Sequence, residues 1–156
     1  LKGYVYEYQD KVNEIRDIIE KDLAKVHITA KYAWDNGATE AQMKPVLNLI
    51  RQAQWRWDFA CASHGAAFHA PVETQRILSH SLDKTHQAML ALQKVLFALG
   101  KTEAQMPDIS TKEKAQIYIG LDMKDINAKK EVFKKTMIPE WIKSAKEKKK
   151  LISVES

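Results

Sequence analysis

The sequence predicts an all-α fold, with three long amphipathic helices followed by short C-terminal helices. Apolar residues recur at spacings of three and four in three long segments, which is the period of a helix with one buried face. Turn-forming stretches separate these segments. Glycine and proline are also few, with 5 and 4 residues among 156, so little interrupts the helical pattern.

The first helix is predicted from about Tyr4 to Trp34. It should end at Asp35-Asn36-Gly37, because Asn and Gly tolerate the left-handed conformation that ends helices. At 1.5 Å per residue, such a helix is a rod of roughly 45 Å. Its apolar stripe consists of Tyr4, Tyr8, Val12, Ile15, Ile19, Leu23, Val26, Ala30 and Ala33.

Two further long helices follow. Thr39 and Gln42 have the spacing of a capping box, and Pro45 permits either a short first turn or a restart, so the second helix is predicted from about Val46 for about 20 residues. Residues 65–71 interrupt the pattern and form a short loop. The third helix should span about 72–99, with Pro71 in its first turn and Gly100 as its stop.

Beyond Gly100 the sequence is more broken. Pro107, Gly120 and Pro139 predict two or three short helices. Such pieces are too small to cover the apolar faces of the long helices, so we expect a partner surface on the first and third helices. The alternative is an ordinary three-helix bundle with its own core.

Composition excludes several classes of site. No run of 18 or more apolar residues occurs, so no membrane span is expected. Cys61 is the only cysteine, which excludes an internal disulfide, a multi-cysteine zinc site and a CxxCH haem attachment motif within this sequence. The net charge is +5, and most of the excess lies in the C-terminal third. A solvated helix end explains that lysine-rich stretch better than an anionic partner does, and no nucleic-acid partner is expected.

His69 is the leading candidate for chemistry. It lies in the predicted loop between Phe68 and Pro71, and its other neighbours are small: Gly65, Ala66, Ala67 and Ala70. Small neighbours leave room for a bulky group, Phe68 offers an aromatic wall and Pro71 restricts the backbone. The hypothesis is therefore an axial ligand to haem iron, because a neutral imidazole is a usual nitrogen ligand. A helix-capping or loop histidine is the plainer alternative, and His64 could compete as the ligand.

Other candidates are weaker. Three histidines are expected to be structural or surface residues: His27, His80 and His86. Cys61 could be a nucleophile beside His64, but no orienting group is visible, so a small buried residue is the better interpretation. Arg56 could bind a haem propionate or take part in a surface ion pair beside aromatic core residues, and both alternatives remain open.

Two motifs carry a resemblance to a known family. They are Ala53-Gln54-Trp55-Arg56-Trp57-Asp58-Phe59 and Phe68-His69-Ala70-Pro71, with weaker support from residues 107–115. Over most of its length the chain resembles the C-terminal helical part of the ammonia-forming, pentahaem cytochrome c nitrite reductases. The fold that this resemblance implies is the C-terminal helical domain of a multihaem cytochrome.

The resemblance implies that residues 1–156 are the dimerising, haem-ligating part of a larger multihaem polypeptide. His69 would be the distal axial ligand of a haem c attached upstream, with Phe68 and Pro71 beside the cofactor. This part would hold no catalytic residue of its own, and calcium would bind only elsewhere in the parent enzyme, which reduces nitrite to ammonia.

The resemblance also implies partners and a location. The partners would be the upstream haem-binding part of the same polypeptide, a second copy in a homodimer and a redox electron donor, and the location would be the periplasm. An alternative from another functional class is a self-standing helical interaction module that binds anionic partners through its basic C-terminal tail. The tail residues in question are Lys143, Lys146, Lys148, Lys149 and Lys150.

Overall fold

The computed structural model describes residues 2–63 and 65–154, with side chains described for residues 3–63 and 65–150. Within these ranges all regular structure is helical and there is no strand, which confirms the predicted all-α class. The helices are α1 (Lys2–Asp35), α2 (Glu40–Ala62), α3 (Ala66–His69), α4 (Pro71–Ala98), α5 (Lys112–Tyr118) and α6 (Met123–Val154).

The chain divides into two compact units. The first, called here the bundle, is Leu1–Met106 and contains α1 to α4. The second, called the C-terminal unit, is Pro107–Ser156 and contains α5 and α6. Each unit is therefore described by itself.

The α2 helix begins earlier than the apolar stripe alone predicted. The Thr39 hydroxyl accepts a hydrogen bond from the Gln42 backbone N–H at 3.3 Å, and the Gln42 side chain accepts from the Thr39 N–H at 2.8 Å. This reciprocal cap satisfies two N–H groups that would otherwise lack partners, so the helix starts at Glu40. Pro45 consequently lies inside α2 and does not restart it.

The bundle has its own core, formed by two clusters of buried side chains. The first cluster lies near the turn between α1 and α2, and the second lies towards α3. The first consists of Val26, Ala30, Ala33, Ala38, Met43, Val46, Ile50, Ala88, Leu92, Val95 and Leu96. The second consists of Val12, Ile19, Leu23, Ala53 and Leu78. The open alternative of a bundle with its own core is thus what the structure shows.

These clusters fix the direction of the helices. Residues early in α2 pack with residues late in both α1 and α4, so α2 runs antiparallel to both. Two hydrogen bonds join the helices at the other end. The Trp57 indole N–H donates to the Arg16 carbonyl at 3.2 Å, and the buried Ser81 hydroxyl donates to the Ala53 carbonyl at 2.7 Å.

The prediction of only short C-terminal helices was wrong for α6, which has 32 residues. Pro139 lies inside this helix and does not end it. Proline removes one helical hydrogen bond, but the side chains around Pro139 are exposed, so water can solvate the carbonyl that loses its partner. Ion pairs one turn apart, Lys129–Asp125 and Lys134–Glu131, both at 2.7 Å, add local support.

Across residues 2–63 and 65–154, no helix combines the length and the apolar content that crossing a bilayer requires.

Candidate functional site

His69 is the last residue of α3, a single helical turn between α2 and α4. The Gly65 carbonyl accepts hydrogen bonds from the backbone N–H groups of Phe68 and His69, at 2.9 and 2.8 Å. The Ala70 N–H donates to the Ala66 carbonyl at 2.8 Å and closes the turn. Within the segment predicted as a loop, residues 66–69 therefore form a hydrogen-bonded helical turn, because the Gly65 and Ala66 carbonyls accept these three N–H groups.

Both ends of α3 are fixed to the bundle. The Ala67 side chain packs against the second core cluster, which seats the turn on the bundle. Pro71 occupies the first position of α4, where its missing N–H costs no helical hydrogen bond. The Ala70 carbonyl accepts from the Thr74 N–H at 2.9 Å and from the Thr74 hydroxyl at 2.8 Å. The candidate ligand thus stands on a constrained junction between two helices.

The side chains of Phe68 and His69 both point into solvent. About half of the Phe68 side-chain surface is exposed, at 51%, and His69 is also exposed. The two rings meet edge to face, with centroids 4.7 Å apart and planes at 81°. Among the described residues, neither imidazole nitrogen of His69 has a hydrogen-bond partner.

These features fit a haem ligand. Iron coordination needs an imidazole nitrogen that can be reached from outside and is not already occupied by a hydrogen bond. The neighbouring Gly65, Ala66 and Ala70 carry no bulky side chain that would obstruct a flat macrocycle. Three residues were predicted to bind the cofactor. In the structure the rings of Phe68 and His69 are in contact, and Pro71 is the first residue of α4.

The other histidines have different surroundings. The His27 ring nitrogen Nε2 lies 3.3 Å from the Gln54 side-chain oxygen, and the His86 Nε2 lies 3.5 Å from an Asp22 carboxylate oxygen. His80 is exposed on α4, and His64 lies outside the described residues. In residues 2–63 and 65–154, no three His, Cys, Asp or Glu side chains cluster in a way that could hold a metal ion, calcium included.

The geometry gives little support to a thiol enzyme at Cys61. This cysteine is half-buried, and burial raises the pKa of its thiol above the ordinary value, with nearby Arg16 acting in the opposite direction. A raised pKa leaves less thiolate at neutral pH, and the thiolate is the nucleophilic form.

The structure also places Arg56 and an aromatic pair. The Arg56 guanidinium donates to the Gln52 carbonyl of its own helix at 2.8 Å, and among the described residues it forms no ion pair. One alternative for Arg56 placed it beside aromatic core residues, but its aromatic neighbours Trp55 and Phe59 are 64% and 48% exposed. Their rings stack with centroids 5.7 Å apart. Only the packing of α2 against α1 and α4 decides that this side of the helix faces outward.

Sequence comparison identifies the family of the chain that carries this histidine turn. A family model described as cytochrome c552 matches residues 1–150, which is almost the whole chain. The chain belongs to the cytochrome c552 family.

Curated relatives agree with this assignment. A cytochrome c-552 of Bacteroides thetaiotaomicron is 64% identical over 147 residues, covering 94% of this chain and 30% of the relative. Cytochromes c-552 of Parabacteroides distasonis and Porphyromonas gingivalis are 60% and 53% identical over 97% and 98% of this chain, and 31% of each relative is covered. The chain therefore spans about a third of the length of these relatives.

The comparisons correct the family expected from the sequence. The matching family and relatives are described as cytochromes c552, and none of these descriptions names a nitrite reductase. The ammonia-forming nitrite reductase assignment is therefore replaced by cytochrome c552. The predicted enzyme class is therefore wrong as well, and so is the description of residues 1–156 as the C-terminal part of that enzyme. The expected family rested chiefly on two short motifs, whereas the alignments with the curated relatives extend over 147 to 154 residues.

The predicted partners are corrected in the same way. The upstream haem-binding part, the homodimer and the electron donor all rested on the nitrite reductase resemblance, and the cytochrome c552 assignment replaces that basis. The alternative of a self-standing interaction module is also replaced, because the family model and the curated relatives match nearly the whole chain as cytochrome c552.

Proposed function

We propose that this chain supplies His69 as an axial ligand to haem c and so takes part in electron transfer. The observation that carries the proposal is an exposed imidazole, without a hydrogen-bond partner among the described residues, on a turn fixed at both ends. Membership of the cytochrome c552 family supports haem as the group bound. Haem, when bound, supplies reversible one-electron chemistry at its iron.

Each residue of the turn would have a separate role. His69 would present a ring nitrogen to the iron, and Phe68 would pack its exposed ring beside the cofactor. Pro71 would fix the start of α4, so that the turn carrying His69 could not shift along the chain. Cys61 is the only cysteine of this sequence, so the chain would contribute a ligand without a CxxCH attachment motif of its own.

The seating of α3 suits this role. A functional side chain is held precisely when the backbone that carries it stands on rigid elements and has its own supporting contacts. Ala67 supplies such support through the second core cluster, and Thr74 supplies it through the Ala70 carbonyl. A fixed ligand reduces the movement that accompanies a change in oxidation state, which favours rapid electron transfer.

Replacement of the proposed ligand tests the function. In the haem-loaded protein, His69→Ala should abolish one low-spin ferric signal in visible and electron paramagnetic resonance spectra, because the iron loses an axial nitrogen. Added imidazole should restore the signal. The matched control is His80→Ala, which removes another exposed histidine of the bundle and should leave the spectra unchanged. Unchanged spectra in His69→Ala would overturn the ligand assignment.

We also propose that the protein is periplasmic. The support is membership of a family of cytochromes c. Fractionation of cells that express the protein, followed by immunodetection, tests this location, and recovery with the cytoplasmic fraction would refute it.

A further inference from the structure

We infer that Gly65 is a positioning residue for the His69 imidazole, an inference whose consequence for haem rests on the function proposed above. Gly65 precedes α3 and has φ +82°, in the left-handed region that side chains other than glycine rarely adopt. A Cβ atom built on Gly65 would lie 3.2 Å from Cδ2 and 3.7 Å from Nε2 of His69. The imidazole therefore lies close enough to crowd a side chain at position 65.

The contact with the ring is particular to this glycine. Gly37, Gly100 and Gly120 also have positive φ, at +90°, +69° and +73°, yet a Cβ atom at any of them would meet nothing within 4 Å. Backbone conformation alone explains glycine at those three turns. At Gly65 a second requirement is added, which is clearance for the ring of His69.

Gly65 also holds the backbone that carries this ring. Its carbonyl accepts the N–H groups of both Phe68 and His69, so the same residue closes the turn and leaves room for the imidazole. Phe68 contacts the imidazole edge to face. The ring thus contacts Phe68 and lies beside the position that a Gly65 Cβ would take, so its orientation depends on position 65 having no side chain.

The consequence concerns the geometry of iron coordination. A Cβ atom 3.2 Å from Cδ2 is a tighter contact than most real Cβ atoms make, so the imidazole must give way by a few tenths of an ångström by turning about its side-chain torsions. A side chain forced about 30° off its rotamer loses roughly two- to tenfold in the population of that geometry. The iron–imidazole bond in a Gly65 variant should therefore be weaker and turned about its axis.

The test uses two substitutions at Gly65 and one matched control in the haem-loaded protein. Gly65→Ala adds the Cβ atom, and Gly65→Asn adds it with a residue that tolerates positive φ better. Gly37→Ala imposes a similar backbone change where no ring is near. Both Gly65 variants should shift the electron paramagnetic resonance signal that depends on His69, because this signal reports the orientation of the axial ring. Cyanide should also displace the ligand at about fivefold lower concentration, within the range expected for a displaced rotamer.

The outcomes separate this inference from the proposed function. If His69→Ala leaves the spectra unchanged, the proposed function fails, and the ring position is then measured without haem as the rate of His69 modification by diethyl pyrocarbonate, followed by mass spectrometry. That rate should change by about threefold in both Gly65 variants, within the population change expected of a displaced rotamer, and should stay constant in Gly37→Ala. If His69 is the ligand but both Gly65 variants match Gly37→Ala in signal and cyanide affinity, the positioning role of Gly65 is refuted.

Discussion

The bundle and the C-terminal unit use similar helices in different ways. In the bundle, α4 has 28 residues and buries a stripe that includes Leu78, Leu92 and Leu96. In the C-terminal unit, α6 has 32 residues, and none of its described side chains is buried. The comparison shows that helix formation and helix burial have separate causes. Capping, ion pairs and propensity form a helix locally, whereas burial requires a facing element with a matching stripe.

The distribution of apolar residues explains the difference. The buried side chains of α4 recur on one face and meet partners from α1 and α2. Phe133 and Trp141 of α6 contact each other edge to face, with centroids 5.3 Å apart, yet they are 41% and 57% exposed. Lysines interleaved along α6 keep its surface hydrated, so its stability is expected to come from interactions along the helix itself.

The largest expected effect comes from removing a core side chain of the bundle. Leu92→Ala should lower the free energy of unfolding by about 2–5 kcal/mol, because the substitution leaves a cavity among fully buried neighbours. Leu90→Ala, two positions earlier on the same helix, is the control. Leu90 is 60% exposed, so its loss should change stability by less than about 0.5 kcal/mol. Chemical denaturation followed by circular dichroism measures both, and equal effects would contradict the packing described here.

An intermediate effect is expected from Pro139→Ala in the C-terminal unit. Alanine restores the missing N–H and removes a helix-interior proline, a change of up to about 3 kcal/mol in helix propensity. The helical circular dichroism signal and the thermal stability of the C-terminal unit should rise. Pro71→Ala serves as the control, because Pro71 lies at the first position of α4, where proline disrupts nothing. No gain from Pro139→Ala would show that α6 does not depend on local propensity.

The smallest effect concerns two titrating groups, one in each unit. Burial chiefly raises the pKa of the Cys61 thiol, so its contribution to stability is present at lower pH and is lost as pH rises through the folded-state pKa. Hydrogen bonds from Lys114, followed by those from Ser110, lower the pKa of the Asp108 carboxyl. The contribution of Asp108 is therefore present at higher pH and is lost as pH falls through the folded-state pKa.

Salt should distinguish these two causes. Asp108 and Lys114 are exposed, so high ionic strength should return the pKa of Asp108 towards its ordinary value, as measured by nuclear magnetic resonance titration. The pKa of Cys61, measured from the pH dependence of thiol alkylation, should change little, because salt does not reverse burial. A Cys61 pKa that changes with salt, together with an Asp108 pKa that does not, would contradict the causes assigned to the two shifts.

Much of the fold could be predicted from the sequence. The capping box at Thr39, the glycine stop at Gly100 and the apolar stripes located the three long helices, because each signal acts within a few residues. The length of α6 was missed, since Pro139 is a local signal whose disruptive effect depends on whether water can reach the helix there. The exposure of Trp55 and Phe59 was also missed. An aromatic residue beside an apolar stripe does not by itself show whether a neighbouring helix covers that side of α2.

The candidate site, too, was predicted from the sequence only in part. The sequence by itself determined the helical class and singled out His69 among small neighbours, because periodicity and composition are properties of the chain alone. Only the tertiary structure decided that residues 66–69 form a closed turn seated through Ala67, and that a side chain at position 65 would crowd the His69 ring. This crowding arises from a separation of 3.2 Å between an ideal Cβ position on Gly65 and the His69 ring, a distance that exists only when the turn has folded.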